Sequence, residues 1–214
     1  MTILRTGAFA TVMIFSAIAC ATDVWWEGED VKATNFPTKT WFDAQNDGER
    51  DKLSQGDWLT SDGQRKAGEQ PAYARYDITV PQAGTYQLWT RKFWKHGPFR
   101  WRFGEQPWQT CGRDIALADS VTLRTHVPAN WVHLGEVTLT KGKHPFEIQL
   151  TAGVGEKKTA AFDAFLLTTG TFQPRGKLKP GQRSGLADPG FFPWEPKIDP
   201  FTDEAMLDLR FLNE

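Results

Sequence analysis

The chain has 214 residues, with 25 Lys and Arg against 26 Asp and Glu, a formal net charge of −1 and a hydrophobic content of 40%. That length suits one sizeable domain with appendages, and the near-zero charge balance excludes a general nucleic-acid binder. The only cysteines are Cys20, in an apparent leader, and Cys111, so no intrachain disulfide is expected and an apolar core must supply the stability.

Arg5, the apolar run from Ala8 to Ala19 and then Ala19-Cys20-Ala21 read as an export signal over residues 1–21, cleaved after Ala21. The run falls short of the roughly 20 residues that span a bilayer, which favours a cleaved leader over an anchor. The protein is therefore expected to be secreted or periplasmic. Acylation at Cys20 ranks second, because Ala17 stands where a Leu would be expected.

Val24 to Asp30 follows as a short aromatic and β-branched strand, and its period of two puts Glu27 and Glu29 on one face. From Ala33 to Gln70 turn residues dominate, which predicts a long excursion with a short strand near Trp58; Trp41, Trp58 and Leu59 are its expected core anchors. From Tyr73 the pattern is regular. Tyr76, Ile78 and Val80 alternate with polar residues, Pro81 to Gly84 turns the chain, and Tyr86 and Leu88 resume the alternation, predicting a half-buried antiparallel hairpin.

Phe99, Trp101 and Phe103 alternate with Arg100 and Arg102 in the same way, followed by a Gly104-Glu105 turn. The Ala-rich middle of Asp114 to Leu123 fits one helical turn in a connection. Trp131 to Leu139 and Pro145 to Leu150 predict a second hairpin, and the nearly continuous apolar run from Phe162 to Leu167 predicts a strand buried on both faces. Many short strands with turns about every ten residues and no long helical period indicate an all-β, antiparallel β-sandwich over residues 22–170.

Past Gly170 the composition becomes that of a Pro/Gly-rich linker, residues 171–201, in which Phe191, Phe192 and Trp194 could pin part of the segment to the sandwich. Thr202-Asp203-Glu204 then reads as the cap and acidic first turn of a short terminal helix, residues 202–214, with Ala205, Leu209 and Leu212 as an apolar stripe. This helix either opens a further domain, such as a C-terminal catalytic one, or docks on the sandwich.

The stretch Trp89 to Trp108 concentrates seven aromatics with Arg91, Lys92, Lys95, Arg100 and Arg102 against a single acid, Glu105. Rings stack on sugar faces and guanidinium forks take carboxylate or sulfate, so the stretch suits an acidic polysaccharide. Alternation turns Phe99, Trp101 and Phe103 inward and leaves Trp94 and Trp108 as stacking surfaces, with Arg91, Lys95, Arg100 and Arg102 as polar partners. Ordinary solvated arginines and lysines would look the same in sequence.

No HExxH, G-x-S-x-G, P-loop or cysteine pair is present. His96, His126, His133 and His144 are scattered, and Asp57 and Asp62 lie among turn residues where Asp bonds locally. The expectation is a non-catalytic protein.

Trp26-Glu27-Gly28-Glu29, the Val80-to-Tyr86 turn, Trp131 with Gly135 to His144, and Phe162-Asp163-Ala164-Phe165-Leu166 together resemble the galactose-binding-like β-sandwiches, specifically carbohydrate-binding modules of the calcium-containing kind. The resemblance covers roughly Val24 to Thr168 and implies a jelly-roll topology and a non-catalytic module attached to polysaccharide-active or other exported proteins. It also implies a structural calcium ion held by acids of the first strand and an Asp entering the last, the places of Glu27, Glu29 and Asp163. It transfers no sugar-binding residue. A monomer that binds a polysaccharide is the expected behaviour, and an architectural domain orienting a following catalytic domain is the alternative.

Overall fold

The computed structural model describes residues 21–182. The leader expected at the N-terminus, the later linker with Phe191, Phe192 and Trp194, and the helix at 202–214 lie outside the described residues, apart from Ala21.

Eleven strands are described, with one short helix, α1 (Asp47–Arg50), and a 3-10 turn (Ser54–Gly56). The strands are β1 (Asp23–Glu27), β2 (Ala33–Thr34), β3 (Leu59–Ser61), β4 (Tyr73–Val80), β5 (Gly84–Phe93), β6 (Phe99–Phe103), β7 (Gln109–Cys111), β8 (Ala118–Arg124), β9 (Val127–Leu139), β10 (Gly142–Leu150) and β11 (Ala160–Thr168). They form two antiparallel sheets. The first runs β1-β11-β5-β9-β8, with β3 following β1 along the same edge of β11; the second runs β2-β4-β10-β6-β7. The expected all-β sandwich is the fold.

Neither long hairpin exists. β4 and β5 lie in different sheets, as do β9 and β10, so the Pro81 turn and the turn before Gly142 carry the chain across the sandwich. Alternation identifies a strand and its buried face, and two facing sheets satisfy it as well as two paired neighbours do. Residues 118–124, where a helical turn is the expectation, form β8, paired with β9.

The main core lies between the sheets. Trp26 stacks on Phe165 at 5.3 Å, and Phe146 meets Phe103, Trp26 and Phe165. Phe99, Trp101 and Phe103 are buried here as their alternation requires. Gly28 is a point of close approach, since a Cβ there would lie 2.0 Å from the Phe162 carbonyl oxygen. Its N–H donates to the Asp163 carbonyl at 2.7 Å, which joins the end of β1 to the middle of β11.

The far face of the first sheet is covered as well. The excursion between β2 and β3 places Phe42, Ala44, Leu53 and Trp58 against Phe93, Leu123, Val127 and Ala129, forming a second small core. At the other end, residues after β11 return across the sheet. Phe172 packs edge-on to Trp89 and Trp131, the Trp131 indole donates to the Gly176 carbonyl at 2.8 Å, and the Lys179 ammonium lies over the Trp25 ring. The early part of the Pro/Gly-rich segment thus packs on the sandwich, with Phe172 as its anchor. With both faces covered, every residue of β11 is buried. The second sheet keeps an open outer face, and β4, β6 and β10 alternate cleanly.

Candidate functional site

The excursion builds a cleft. Asn46 caps α1 by accepting the Glu49 N–H at 3.0 Å, and the Glu49 carboxylate accepts the Gln45 N–H at 2.9 Å, a reciprocal cap that fixes the chain's direction. Asp43 accepts the Thr60 hydroxyl at 2.6 Å and the Thr40 N–H at 3.0 Å, and the Trp58 indole donates to the Phe42 carbonyl at 2.9 Å. These bonds leave a cleft of about 740 Å³ lined by Glu29, Trp41, Asp43, Gln45, Arg50 and Asp57, with Phe36 and Trp58 among its walls.

Trp41, an expected core anchor, stands 53% exposed, whereas Trp58 and Leu59 are buried as expected. Its ring packs on Phe42 at 3.9 Å between centroids and lies 5.7 Å from the Arg124 guanidinium. Arg124 donates to the Trp41 carbonyl and pairs with Glu49 at 2.5 Å. An aromatic ring fixed from below and open above, with carboxylate, amide and guanidinium groups around it, is the arrangement that stacks on a sugar and bonds its hydroxyls. A weak signal for it was available in sequence, because Trp41 sits among the turn-forming Thr40 and Asp43 with no alternating partners.

The six residues expected to bind ligand do not come together. Arg91 is overturned as a candidate. It does point away from the main core, but the excursion covers that face, and its side chain is fully buried against Asp163 at 2.7 Å. Trp94 (43% exposed) and Lys95 stand at the tip between β5 and β6, as expected. The tip is tied from inside by buried Lys92, whose ammonium donates to the Trp94 carbonyl at 2.9 Å and the His96 carbonyl at 2.5 Å. Burial pushes that ammonium down to about 8.

Trp108, Arg100 and Arg102 meet on the open face of the second sheet. The two guanidinium carbons lie 4.5 and 4.3 Å from the Trp108 ring. Both arginines also have protein partners, Gln149 for Arg100 and Glu147 at 3.1 Å for Arg102, and Glu147 bonds Arg75 at 3.3 Å in turn. The ring caps a sheet-surface network, far in the strand order from the excursion.

Glu27, Glu29 and Asp163 are close enough for the charges of Glu27 and Asp163 to act on Glu29. Burial chiefly, with those neighbours, pushes the Glu29 carboxyl up to about 8. Glu27 accepts the Trp25 indole N–H at 2.8 Å and pairs with Lys179 at 3.2 Å. Asp163 has both oxygens engaged, Oδ2 by Arg91 and Oδ1 by the Ser54 N–H at 2.9 Å.

The buried Oε2 atoms of Glu27 and Glu29 lack partners, which would suit a cation. Calcium, however, wants six to eight oxygens, and Asp163 has none to give while a guanidinium stands beside it. Among the described residues no three acidic, His or Cys side chains gather as a metal-holding group. The three acids do not fit a calcium ion.

No family model and no curated protein matches the sequence. Solved structures that are similar include a Podospora anserina GH26-CBM35 β-(1,4)-mannanase, at 17% identity and TM-score 0.44 over 78% of this chain and 32% of that one. Two family 35 carbohydrate-binding modules are also similar. One, from Cellvibrio japonicus, has 10% identity and TM-score 0.44 over 70% of this chain and 95% of that one; the other, from Clostridium thermocellum, has 14% and 0.41 over 68% and 97%. At this level of likeness, function must be argued from the chain's own residues.

Proposed function

We propose that this domain is an exported, non-catalytic carbohydrate-binding module whose sugar site is the Trp41 cleft. The observation that carries the proposal is the Trp41 ring itself, 53% exposed yet braced by Phe42 and Arg124 in the lining of a polar cleft. A rigid ring with one face free can stack on a sugar, and bracing lowers the entropic cost of ordering the ring when a sugar arrives. The export half of the proposal is supported by the leader-like residues 1–21.

Lys39 and Arg50 stand in the lining against Asp43, Asp57 and Glu29, so the cleft has no cationic excess. A neutral polysaccharide therefore suits it better than an acidic one. Affinity electrophoresis against neutral, uronic and sulfated polysaccharides tests both points. Retardation by a neutral polymer that falls at least about tenfold in Trp41→Ala, and is unchanged in Trp94→Ala, is the expected result. Retardation only by acidic polymers, abolished by Trp108→Ala, would transfer the site to the second sheet. No retardation by any polymer would leave the architectural role.

A further inference from the structure

The resemblance implies an ion where Asp163 enters the fold, and the residues there decline one. Asp163 sits at a bulge in β11, between the part paired with β1 and the part paired with β3. An unpaired carboxylate at such a junction needs a positive charge and donors from elsewhere in the chain. Arg91 of β5 supplies them. One nitrogen, Nη1, donates both to Asp163 Oδ2 at 2.7 Å and to the Lys52 carbonyl at 2.9 Å, and the Ser54 N–H closes on the other carboxylate oxygen. Arg91 and Asp163 are both fully buried.

A structural cation does this same work, gathering a carboxylate and a backbone carbonyl from segments distant in sequence. Arginine can do it permanently, because its guanidinium stays charged; here Nη1 alone makes both contacts, and the buried Nε and Nη2 have no partner. We propose that Arg91 takes the place of a structural metal ion, so that the excursion is pinned to β11 and β5 by a covalently supplied cation. The fold is then indifferent to calcium and to chelators.

Thermal melts of the full chain in EDTA and in millimolar calcium chloride test this. The wild type should melt at the same temperature in both; a rise with calcium overturns the proposal, since a ligand of the native state must stabilise by mass action. Arg91→Gln frees Asp163 and the Lys52 carbonyl, and Asp163 is near enough to Glu27 and Glu29 for their charges to interact. This variant should melt lower than wild type in EDTA and regain several degrees with calcium. Identical melting in both buffers would overturn the idea that the guanidinium stands in a cation's place. Should Arg91→Gln fold in neither buffer, Arg91→Lys carries the test: a cation kept at the site should hold the fold in EDTA, and a variant that folds neither in EDTA nor in calcium overturns the proposal.

Discussion

Arg91 and Arg102 both point away from the main core, one on each sheet, and their fates are opposite. Arg102 lies on an open face, shares Glu147 with Arg75 and stacks on Trp108. Arg91 lies beneath the excursion, fully buried against Asp163. The difference belongs to the layer outside each sheet rather than to the strands that present the residues. On the second sheet, outward means solvated, where an ion pair contributes about 0–1 kcal/mol. On the first, outward means a second interior, where an ion pair is costly to form and more costly to break.

The sharpest way to break this contrast is Asp163→Ala, which strands the Arg91 charge in that interior. It should cost about 3–5 kcal/mol in urea denaturation. A loss below about 1 kcal/mol would mean that water reaches the pair and that the two faces are alike.

Phe172→Ala removes the anchor of the segment that covers the other end of the first sheet, against Trp89 and Trp131. For a half-buried ring the expected loss is about 1–2 kcal/mol, with red-shifted tryptophan emission. Unchanged emission would show that the segment does not cover those rings.

Lys92 gives a pH signature. Its ammonium falls from an ordinary 10.5 to about 8 in the fold. Between those values the unfolded chain holds a proton that the native chain has released, so stability should rise with pH across that window and be level below it. Lys92→Met should flatten that rise relative to wild type in stability measured from pH 7 to 10.5; an unaltered slope would show that the lysine is solvated.

Smallest is Arg102→Ala on the open sheet, expected to cost less than about 1 kcal/mol, because the pair is partly solvated and Glu147 keeps Arg75. A larger loss would mean that the outer network carries structural weight.

Local pattern reached a definite depth here. A period of two is a property of the strand itself, so Phe99, Trp101 and Phe103 inward and Arg100 and Arg102 outward could be read directly, as could the burial of β11 from its unbroken apolar run. The antiparallel sandwich followed from strand number and turn spacing. Three things did not follow, and each depends on residues distant in the chain. Partnership across the Pro81 turn was invisible because facing and paired strands bury the same alternate residues. The exposure of Trp41 depended on Thr60 and Arg124, far along the chain, folding the excursion around it. Finally, the composition around Arg91 suggested a surface cation, and only the excursion laid over β5, with Asp163 turned toward it from β11, made it an interior one; burial is a property of the assembled layers, which no single strand encodes.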